Sequence, residues 1–84
     1  MPSVTLYTTA SCPFCVSAKT LLTRRNIAFE EINLARDPDG RTALTECTGM
    51  YTFPQIVIDG RSIGGFNELL AADRAGRLQE LLAA

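Results

Sequence analysis

Two cysteines separated by two residues, in Cys12-Pro13-Phe14-Cys15, stand where a strand-like run gives way to a helix-like run. The run before them, Val4 to Thr8, is rich in β-branched and aromatic side chains, which favours a strand. The run after them, Val16 to Arg25, lacks Gly and Pro and places apolar residues at helical spacing. We therefore expect Cys12 at a helix N-terminus, where free backbone N–H groups and the helix dipole favour an anion. A thiol placed there forms the reactive thiolate more readily, so the pattern predicts thiol–disulfide chemistry.

Composition narrows the class of protein. The chain has 84 residues, of which 46% are hydrophobic, and a formal net charge of −1. We expect one small domain spanning residues 1–84, without electrostatic attraction for nucleic acid or an anionic membrane. No apolar run approaches the roughly 20 residues of a membrane-spanning helix, and the N-terminus lacks the pattern of a secretory signal. Together with an odd number of cysteines, three in all, this predicts a cytoplasmic protein that keeps its thiols reduced at rest.

Histidine is absent from the chain, which excludes two kinds of site. A nucleophilic Cys–His pair cannot form without it. A structural zinc site usually takes four Cys or His ligands, and the chain has only three such residues. We therefore expect no bound metal.

Turn and breaker residues divide the chain into alternating strands and helices. The predicted elements are a strand at 4–8, a helix to about 25 with Ser11 as its possible N-cap, a strand at 27–34, a helix from about 38 or 41 to 48, strands at 54–58 and 61–63, and helices at 67–75 and 77–82. The first strand, helix and strand form a parallel βαβ unit, and Asp59-Gly60 makes the tight turn of an antiparallel hairpin. The order βαβ, then α, ββ and α predicts an α/β fold with a four-stranded mixed sheet flanked by helices.

Two further segments suit the binding of a ligand. In Thr52-Phe53-Pro54-Gln55, the proline can open a strand, and a cis bond before it would leave the main chain of Phe53 free to pair with a ligand. Gly64-Gly65 allows close backbone approach just before a helix, whose N-terminus can hold a carboxylate.

These segments together resemble the glutaredoxins in order and spacing over essentially the whole chain. The resemblance rests on the strand ending in Tyr7-Thr8, the Cys12-Pro13-Phe14-Cys15 motif, Thr52-Phe53-Pro54-Gln55 with the strand that follows to Asp59, and Ile63-Gly64-Gly65. It implies a thioredoxin-like fold, a cis Pro54 facing Cys12, and a glutathione groove.

The resemblance also implies which residues bind glutathione: Thr9, Phe14, Arg41, Phe53, Pro54, Gly65, Phe66 and Asn67. The backbone of Phe53 would pair with the cysteinyl part, and the segment Gly65 to Asn67 would hold the γ-glutamyl carboxylate. Arg41 would meet the glycyl carboxylate. The sequence departs from the family's usual residues at four places. Phe14 stands where the family usually has Tyr, Thr9 where it has Lys, and Phe53 where it has Val. Asn67-Glu68 replaces a Ser, Thr or Asp followed by Asp.

The function implied is that of a dithiol, glutathione-dependent thiol–disulfide oxidoreductase, a monomer whose co-substrate is glutathione and whose partners are disulfide-bonded or glutathionylated proteins. Cys12, at the exposed edge of the helix, attacks the substrate, and the more shielded Cys15 resolves the mixed disulfide. Two alternatives stay open. One is a redoxin reduced by a flavoprotein of the thioredoxin reductase type or by another small thiol, and the other is an iron–sulfur cluster carrier, against which the stiffness of Pro13 argues.

Three residues outside these motifs carry separate expectations. Cys47, late in the second helix, is expected to be a buried or half-buried small hydrophobe. Tyr7 and Phe29 are expected in the core.

Overall fold

A computed structural model describes residues 3–83 as a four-stranded sheet flanked by helices. The elements are β1 (Val4–Thr8), α1 (Pro13–Arg24), β2 (Glu30–Asn33), α2 (Pro38–Thr48), β3 (Gln55–Ile58), β4 (Arg61–Gly64), α3 (Phe66–Arg74) and α4 (Arg77–Ala83). The strand order is β2-β1-β3-β4, in which β1 and β2 are parallel and the other pairs antiparallel. This confirms the predicted fold class, a mixed sheet built from a βαβ unit followed by a helix, a hairpin and a helix.

The hydrophobic core lies between the two central strands and three of the helices. Its buried members come from β1, β3, α1, α3 and α4: Val4, Leu6, Ala18, Leu22, Ile56, Ile58, Leu69 and Leu78. Each fully buried Leu or Ile side chain contributes about 1.5–3 kcal/mol relative to leaving it exposed. Helix α1, which begins beside the cysteine motif, is thereby fixed against the sheet.

Helix α1 begins one residue later than the predicted N-cap implies. Cys12 rather than Ser11 is the N-cap, and Ser11 has a φ of 52°. Pro13 explains the difference: its missing N–H and fixed φ suit the first position inside the helix, so the residue before it becomes the cap. The helix ends at Arg24, and Asn26 follows with a φ of 58°, as expected of a stop residue.

Strand β2 is shorter than predicted. Its pairing with β1 begins at Glu30, opposite Thr5, and not at Ile27. Ile27 and Phe29 are half-buried and pack against the core from the connecting segment, so their apolar character reflects packing rather than strand pairing. The expectation that Phe29 belongs to the core is confirmed.

The hairpin of β3 and β4 turns at Asp59 and Gly60, as predicted. Both residues have positive φ, 50° and 81°, which is the backbone conformation of a type I′ turn. Strand β3 begins at Gln55 rather than Pro54, since proline has no N–H to donate to a ladder. Among residues 3–83, no helix has both the length and the apolar character that crossing a bilayer requires.

Candidate active site

The two cysteines of the motif are disulfide-bonded at the N-terminus of α1, with their Cα atoms 5.2 Å apart. The sulfur of Cys12 accepts a hydrogen bond from the backbone N–H of Cys15 at 3.1 Å, so this side chain caps the helix. The backbone carbonyl oxygen of Cys12 accepts hydrogen bonds from the N–H groups of Cys15 and Val16 at 3.1 and 3.3 Å. One first-turn N–H, that of Cys15, therefore reaches the sulfur of Cys12 at the helix N-terminus that the sequence predicts.

Burial separates the two sulfurs. Cys15 is 3% exposed and sits among core residues, whereas Cys12 is only half-buried. A disulfide partner from another molecule can therefore reach the sulfur of Cys12 but not that of Cys15. This asymmetry suits Cys12 to the first attack and Cys15 to the second.

A cavity of about 280 Å³ adjoins the motif. It brings together six of the eight residues predicted to bind glutathione: Phe14, Phe53, Pro54, Gly65, Phe66 and Asn67. These residues come from three separate parts of the chain: the start of α1, the segment before β3, and the start of α3. Met50, Thr52 and Glu68, none of them among those eight, complete the lining.

Aromatic rings and close backbone contacts shape this cavity. The rings of Phe14 and Phe66 are stacked, with centroids 5.9 Å apart and an interplanar angle of 28°. Phe14 is 60% exposed, so its ring faces solvent at the rim. The Phe53–Pro54 bond is cis, as predicted. A Cβ at Gly65 would lie 3.3 Å from the carbonyl oxygen of Pro54, so the absence of a side chain lets the two segments approach.

The N-terminus of α3 carries a capping interaction that the sequence analysis did not anticipate. The N–H of Gly65 donates to Oε1 of Glu68 at 3.0 Å, the reach-back bond of a capping box. The signal was present in the sequence, because Glu68 stands three residues after the N-cap. One of the N–H groups expected to hold a ligand carboxylate is thus engaged by the chain's own carboxylate. The following N–H groups, of Phe66 and Asn67, have no partner within the helix.

Arg41 lines a neighbouring groove and not the central cavity. This groove, of about 520 Å³, is also lined by Tyr51 and Phe53, so it meets the central cavity at Phe53. Nη1 of Arg41 donates to the carbonyl oxygens of Leu34 and Ala35 at 2.6 and 3.0 Å. These bonds fix the guanidinium beside the groove and leave its other N–H donors for a ligand.

Comparison with known proteins decides the family. The family model for glutaredoxin matches residues 4–63. The chain belongs to the glutaredoxin family. A curated glutaredoxin of Pseudomonas aeruginosa is 45% identical over 84 residues, with both chains covered in full. Glutaredoxin 3 of Escherichia coli K12 is 38% identical over 82 residues, covering 98% of this chain and 99% of that one.

Solved glutaredoxin structures share the fold. A crystal structure of the buckwheat glutaredoxin–glutathione complex superposes with a TM-score of 0.89 at 27% identity, covering 98% of this chain and 77% of that one. Wheat glutaredoxin superposes with a TM-score of 0.87 at 37% identity, covering 95% and 78%. The sheet and helices are thus those of the thioredoxin-like glutaredoxin fold. Membership of the family implies thiol–disulfide oxidoreductase activity, and Cys12 with Cys15 forms the disulfide that such activity uses.

Thr9, predicted to bind glutathione, does not line the central cavity. It lines a second cavity, of about 550 Å³, together with Cys12 and Cys15. Threonine at this position supplies no cation beside Cys12. The structure places Lys19, one helical turn after Cys15, in the lining of the same cavity.

Lys19 belongs to a polar network that sequence reasoning missed. Its Nζ lies 3.3 Å from Oε1 of Glu31, and Oε2 of Glu31 accepts a hydrogen bond from the hydroxyl of Thr8 at 2.7 Å. Thr8 is only 1% exposed, so its hydroxyl needs such a partner. The network joins α1, β1 and β2 below the cysteine motif.

Cys47 is exposed, and the expectation of burial was wrong. Within the described residues, Leu44 is the one residue of α2 that is buried, so the face of this helix that meets the sheet is narrow. Cys47 lines a shallow cavity beside the half-buried Tyr7 but remains open to solvent. Residues 3–83 contain no group of three or more His, Cys, Asp or Glu side chains arranged to hold a metal ion.

Proposed function

We propose that this protein is a dithiol, glutathione-dependent oxidoreductase that reduces protein disulfides and glutathione mixed disulfides. The observation that carries the proposal is the cavity that joins Phe14, at the start of the redox helix, to the free main chain near Phe53 and the N-terminus of α3. A backbone edge beside a helix N-terminus suits a short peptide that carries a carboxylate. The similar buckwheat protein has been crystallised as a glutathione complex.

In the proposed complex, the main chain of Phe53 pairs with the cysteinyl residue of glutathione and places its sulfur toward Cys12. The γ-glutamyl carboxylate meets the N–H groups of Phe66 and Asn67 at the start of α3, with Gly65 and Pro54 forming the floor. Charge favours this end of the helix for an anion.

The remaining proposed contacts lie at the edges of this site. Arg41, held beside the adjoining groove by its bonds to two carbonyls, meets the glycyl carboxylate with its free donors. The exposed ring of Phe14 covers the ligand from the side of the motif. Thr9 is a proposed contact from the second cavity, which it lines together with Cys12.

Reduction of a protein–glutathione mixed disulfide needs only Cys12. Its thiolate attacks the glutathione sulfur, the disulfide bond breaks, and the protein leaves as a thiolate that takes up a proton. A second glutathione thiolate then attacks the glutathionyl sulfur on Cys12. Oxidised glutathione leaves and the Cys12 thiolate is restored. One half of the oxidised glutathione is the glutathionyl group of the substrate and the other is the incoming glutathione, so each turnover consumes one reduced glutathione.

Reduction of a protein disulfide uses both cysteines. Cys12 attacks one substrate sulfur and forms a mixed disulfide, and the other substrate sulfur leaves as a thiolate. Cys15 then attacks the sulfur of Cys12, releases the second substrate thiolate and closes the Cys12–Cys15 bridge, which two glutathione molecules reopen. Both sulfurs come from one chain, so a monomer suffices. The cycle needs a compartment that keeps glutathione reduced, and we therefore place it in the cytoplasm.

A second candidate concerns the electron donor. The carboxylate of Glu68 already accepts from the N–H of Gly65, which weakens the attraction of this helix end for a ligand carboxylate. Together with Thr9 in place of a cation, this favours testing a flavoprotein reductase or another small thiol as the donor.

The test compares donors on a single substrate. A glutathionylated peptide is mixed with the protein, NADPH, and either glutathione with glutathione reductase or thioredoxin reductase alone. We expect NADPH consumption with the first pair and little with the second. Turnover supported only by thioredoxin reductase would contradict glutathione dependence and establish the second candidate.

A further inference from the structure

We propose that Gln55, together with Thr48, positions the segment of residues 50–54 and thereby sets how well the main chain of Phe53 receives its substrate. Neither residue touches the substrate in this proposal. The identity of the substrate rests on the proposed function, whereas the positioning role rests on the hydrogen bonds described next.

The side-chain amide of Gln55 is buried, and both its nitrogen and its oxygen make hydrogen bonds. Gln55 is 0% exposed, and its Nε2 donates to the carbonyl oxygens of Met50 and Thr52 at 3.1 and 3.0 Å. Its Oε1 accepts from the hydroxyl of Thr48 at 2.9 Å. The two carbonyl acceptors fix the orientation of the amide, because the reversed amide would set an oxygen against both of them.

Thr48 holds the same segment from the end of α2. Its Oγ1 accepts from the N–H of Met50 at 3.2 Å, and its hydroxyl proton lies within reach of Gln55 Oε1 and of the Leu44 carbonyl, at 2.9 and 3.0 Å. The side chains of Thr48 and Gln55 thus form a single unit that is hydrogen-bonded to the segment at Met50 and Thr52.

The segment has no main-chain anchor of its own. Among residues 3–83, the backbone of 50–54 makes no hydrogen bond to another backbone group. The three hydrogen bonds that hold it run through the two side chains just described. A stretch held in this way moves when either side chain is lost.

Movement of the segment bears directly on the proposed binding site. Phe53 lines both the central cavity and the groove of Arg41, so its main chain is the junction of the two. The carbonyl of Pro54 approaches Gly65 closely enough that a Cβ there would lie at 3.3 Å. A shift of the segment would therefore misalign Phe53 with the start of α3, and small misplacements of a bound reactant are costly in rate.

The reactivity of Cys12 depends on a different part of the molecule. Its sulfur is contacted by the N–H of Cys15, on α1, which the core holds in place. Loss of the Gln55 or Thr48 side-chain bonds should therefore impair substrate binding and leave the thiolate unchanged. A general weakening of the fold would not separate these two properties.

The experiment uses isosteric variants. Thr48→Val and Gln55→Met remove the side-chain hydrogen bonds to the segment and keep the side-chain volume nearly constant. Thr48→Ser keeps the hydroxyl. Thr20→Val is the matched control, because the Thr20 hydroxyl makes the same kind of bond to a helix carbonyl, that of Val16 at 3.0 Å, and none to the segment. For each variant we would measure KM and kcat for a glutathionylated peptide, and the alkylation rate of Cys12 against pH, well below its unfolding temperature.

We expect KM to rise about tenfold in Thr48→Val and Gln55→Met, the effect of leaving a partly buried polar group unpaired. The pH profile of Cys12 alkylation should stay that of the parent, and Thr48→Ser and Thr20→Val should match the parent throughout. Unchanged KM in both isosteric variants would overturn the proposal, as would a loss of Cys12 alkylation that parallels the rise in KM. If Gln55→Met does not fold, the comparison of KM between Thr48→Val and Thr48→Ser tests the proposal instead.

Failure of the proposed function has a separate signature. In that case the parent protein itself shows no glutathione-dependent turnover. The positioning role is then measured as single-turnover reduction of a disulfide peptide by the dithiol protein, with no glutathione present. The half-saturating peptide concentration should again rise in Thr48→Val, and equal values for parent and variant would refute the role of Thr48 and Gln55.

Discussion

The backbone N–H of Cys15 donates to the sulfur of Cys12 over 3.1 Å, at the first turn of α1. Because the donor is a main-chain group, it survives any substitution at Cys15 except proline, which has no N–H. Because it belongs to a helix N-terminus, its dipole is aligned with those of the turns behind it. The motif therefore carries its anion-stabilising device in the backbone, and the two side chains are left for chemistry.

The first prediction concerns the ionisation of Cys12. In a Cys15→Ser, Cys47→Ser background, which leaves one thiol, the rate of alkylation by iodoacetamide should level off at a pH well below the ordinary value of about 8.5 for cysteine. The same chain unfolded in denaturant provides the reference. Coincident inflections in the folded and unfolded chain would show that the helix end does not stabilise the thiolate.

The second prediction separates the two cysteines by reaction. Cys15→Ser should keep most of the activity on a glutathionylated peptide, because only the sulfur of Cys12 is needed there. It should lose the reduction of protein disulfides and accumulate a covalent complex through Cys12, since no resolving thiol remains. Activity assays and mass spectrometry of the trapped complex check both. Cys12→Ser is the control and should lose both reactions; equal loss in Cys15→Ser would contradict the division of roles.

Much of the site could be predicted because it depends on short, local patterns. A local pattern places each part of the site to within a few residues. Cys12 and Cys15 stand at a strand-to-helix junction, Pro54 stands at the start of a strand, and Gly65 stands just before a helix. The N-cap shows the limit of such reasoning. Serine is the more frequent cap, but Pro13 at the first helical position determines that Cys12 takes that place.

Other features cannot be predicted from local sequence patterns, because they depend on which face of a helix or strand packs against the rest of the fold. The bond between Thr8 and Glu31 requires the register of two strands 23 residues apart in the chain. The buried amide of Gln55 requires the carbonyls of a turn whose course no local pattern determines. Residue type alone predicts that Cys47 is buried, but its side chain is exposed, because α2 meets the sheet over a narrow face.

The third prediction concerns Gly64, where backbone and packing act together. Gly64 has a φ of 115°, and a Cβ there would lie 2.7 Å from Cγ of Glu68. Gly64→Ala should lower the free energy of unfolding by about 2 kcal/mol or more, from backbone strain and the clash together. Urea denaturation measures the loss.

Gly76→Ala is the matched control for Gly64→Ala. Gly76 also has a positive φ, 75°, but a Cβ there meets nothing within 4 Å. Gly76→Ala should lower the free energy of unfolding by about 1 kcal/mol, from backbone strain alone. Because Glu68→Ala also removes the capping bond to the N–H of Gly65, it is measured alone as a reference, and Gly64→Ala should cost less stability in the Glu68→Ala background than in the parent. Equal losses in the two single glycine variants would show that Glu68 yields without cost.

The fourth prediction concerns the ion pair that joins the end of α1 to α3. Nε and Nη2 of Arg25 contact the two carboxylate oxygens of Asp73 at 2.9 and 3.0 Å, a bidentate arrangement. The hydrogen bond from Arg25 holds the pKa of the Asp73 carboxyl below its ordinary value of 3.8. Since the folded state then binds fewer protons than the unfolded state between the two pKa values, stability rises with pH through that interval. Asp73→Asn should therefore lower stability at neutral pH.

The pH dependence distinguishes this ion pair from ordinary packing at the same position. As pH falls below 3.8 and through the lowered pKa, the contribution of Asp73 is lost, so the unfolding free energies of the parent and Asp73→Asn should converge. Lys19→Met serves as the comparison, because both side chains of the Lys19–Glu31 pair are accessible, at 38% and 32%, whereas in the Arg25–Asp73 pair the arginine is 50% accessible but the carboxylate only 5%. It should change stability less at neutral pH. A gap between the parent and Asp73→Asn that stays constant as the pH falls through the titration of Asp73 would mean that ionisation of this carboxyl does not stabilise the fold.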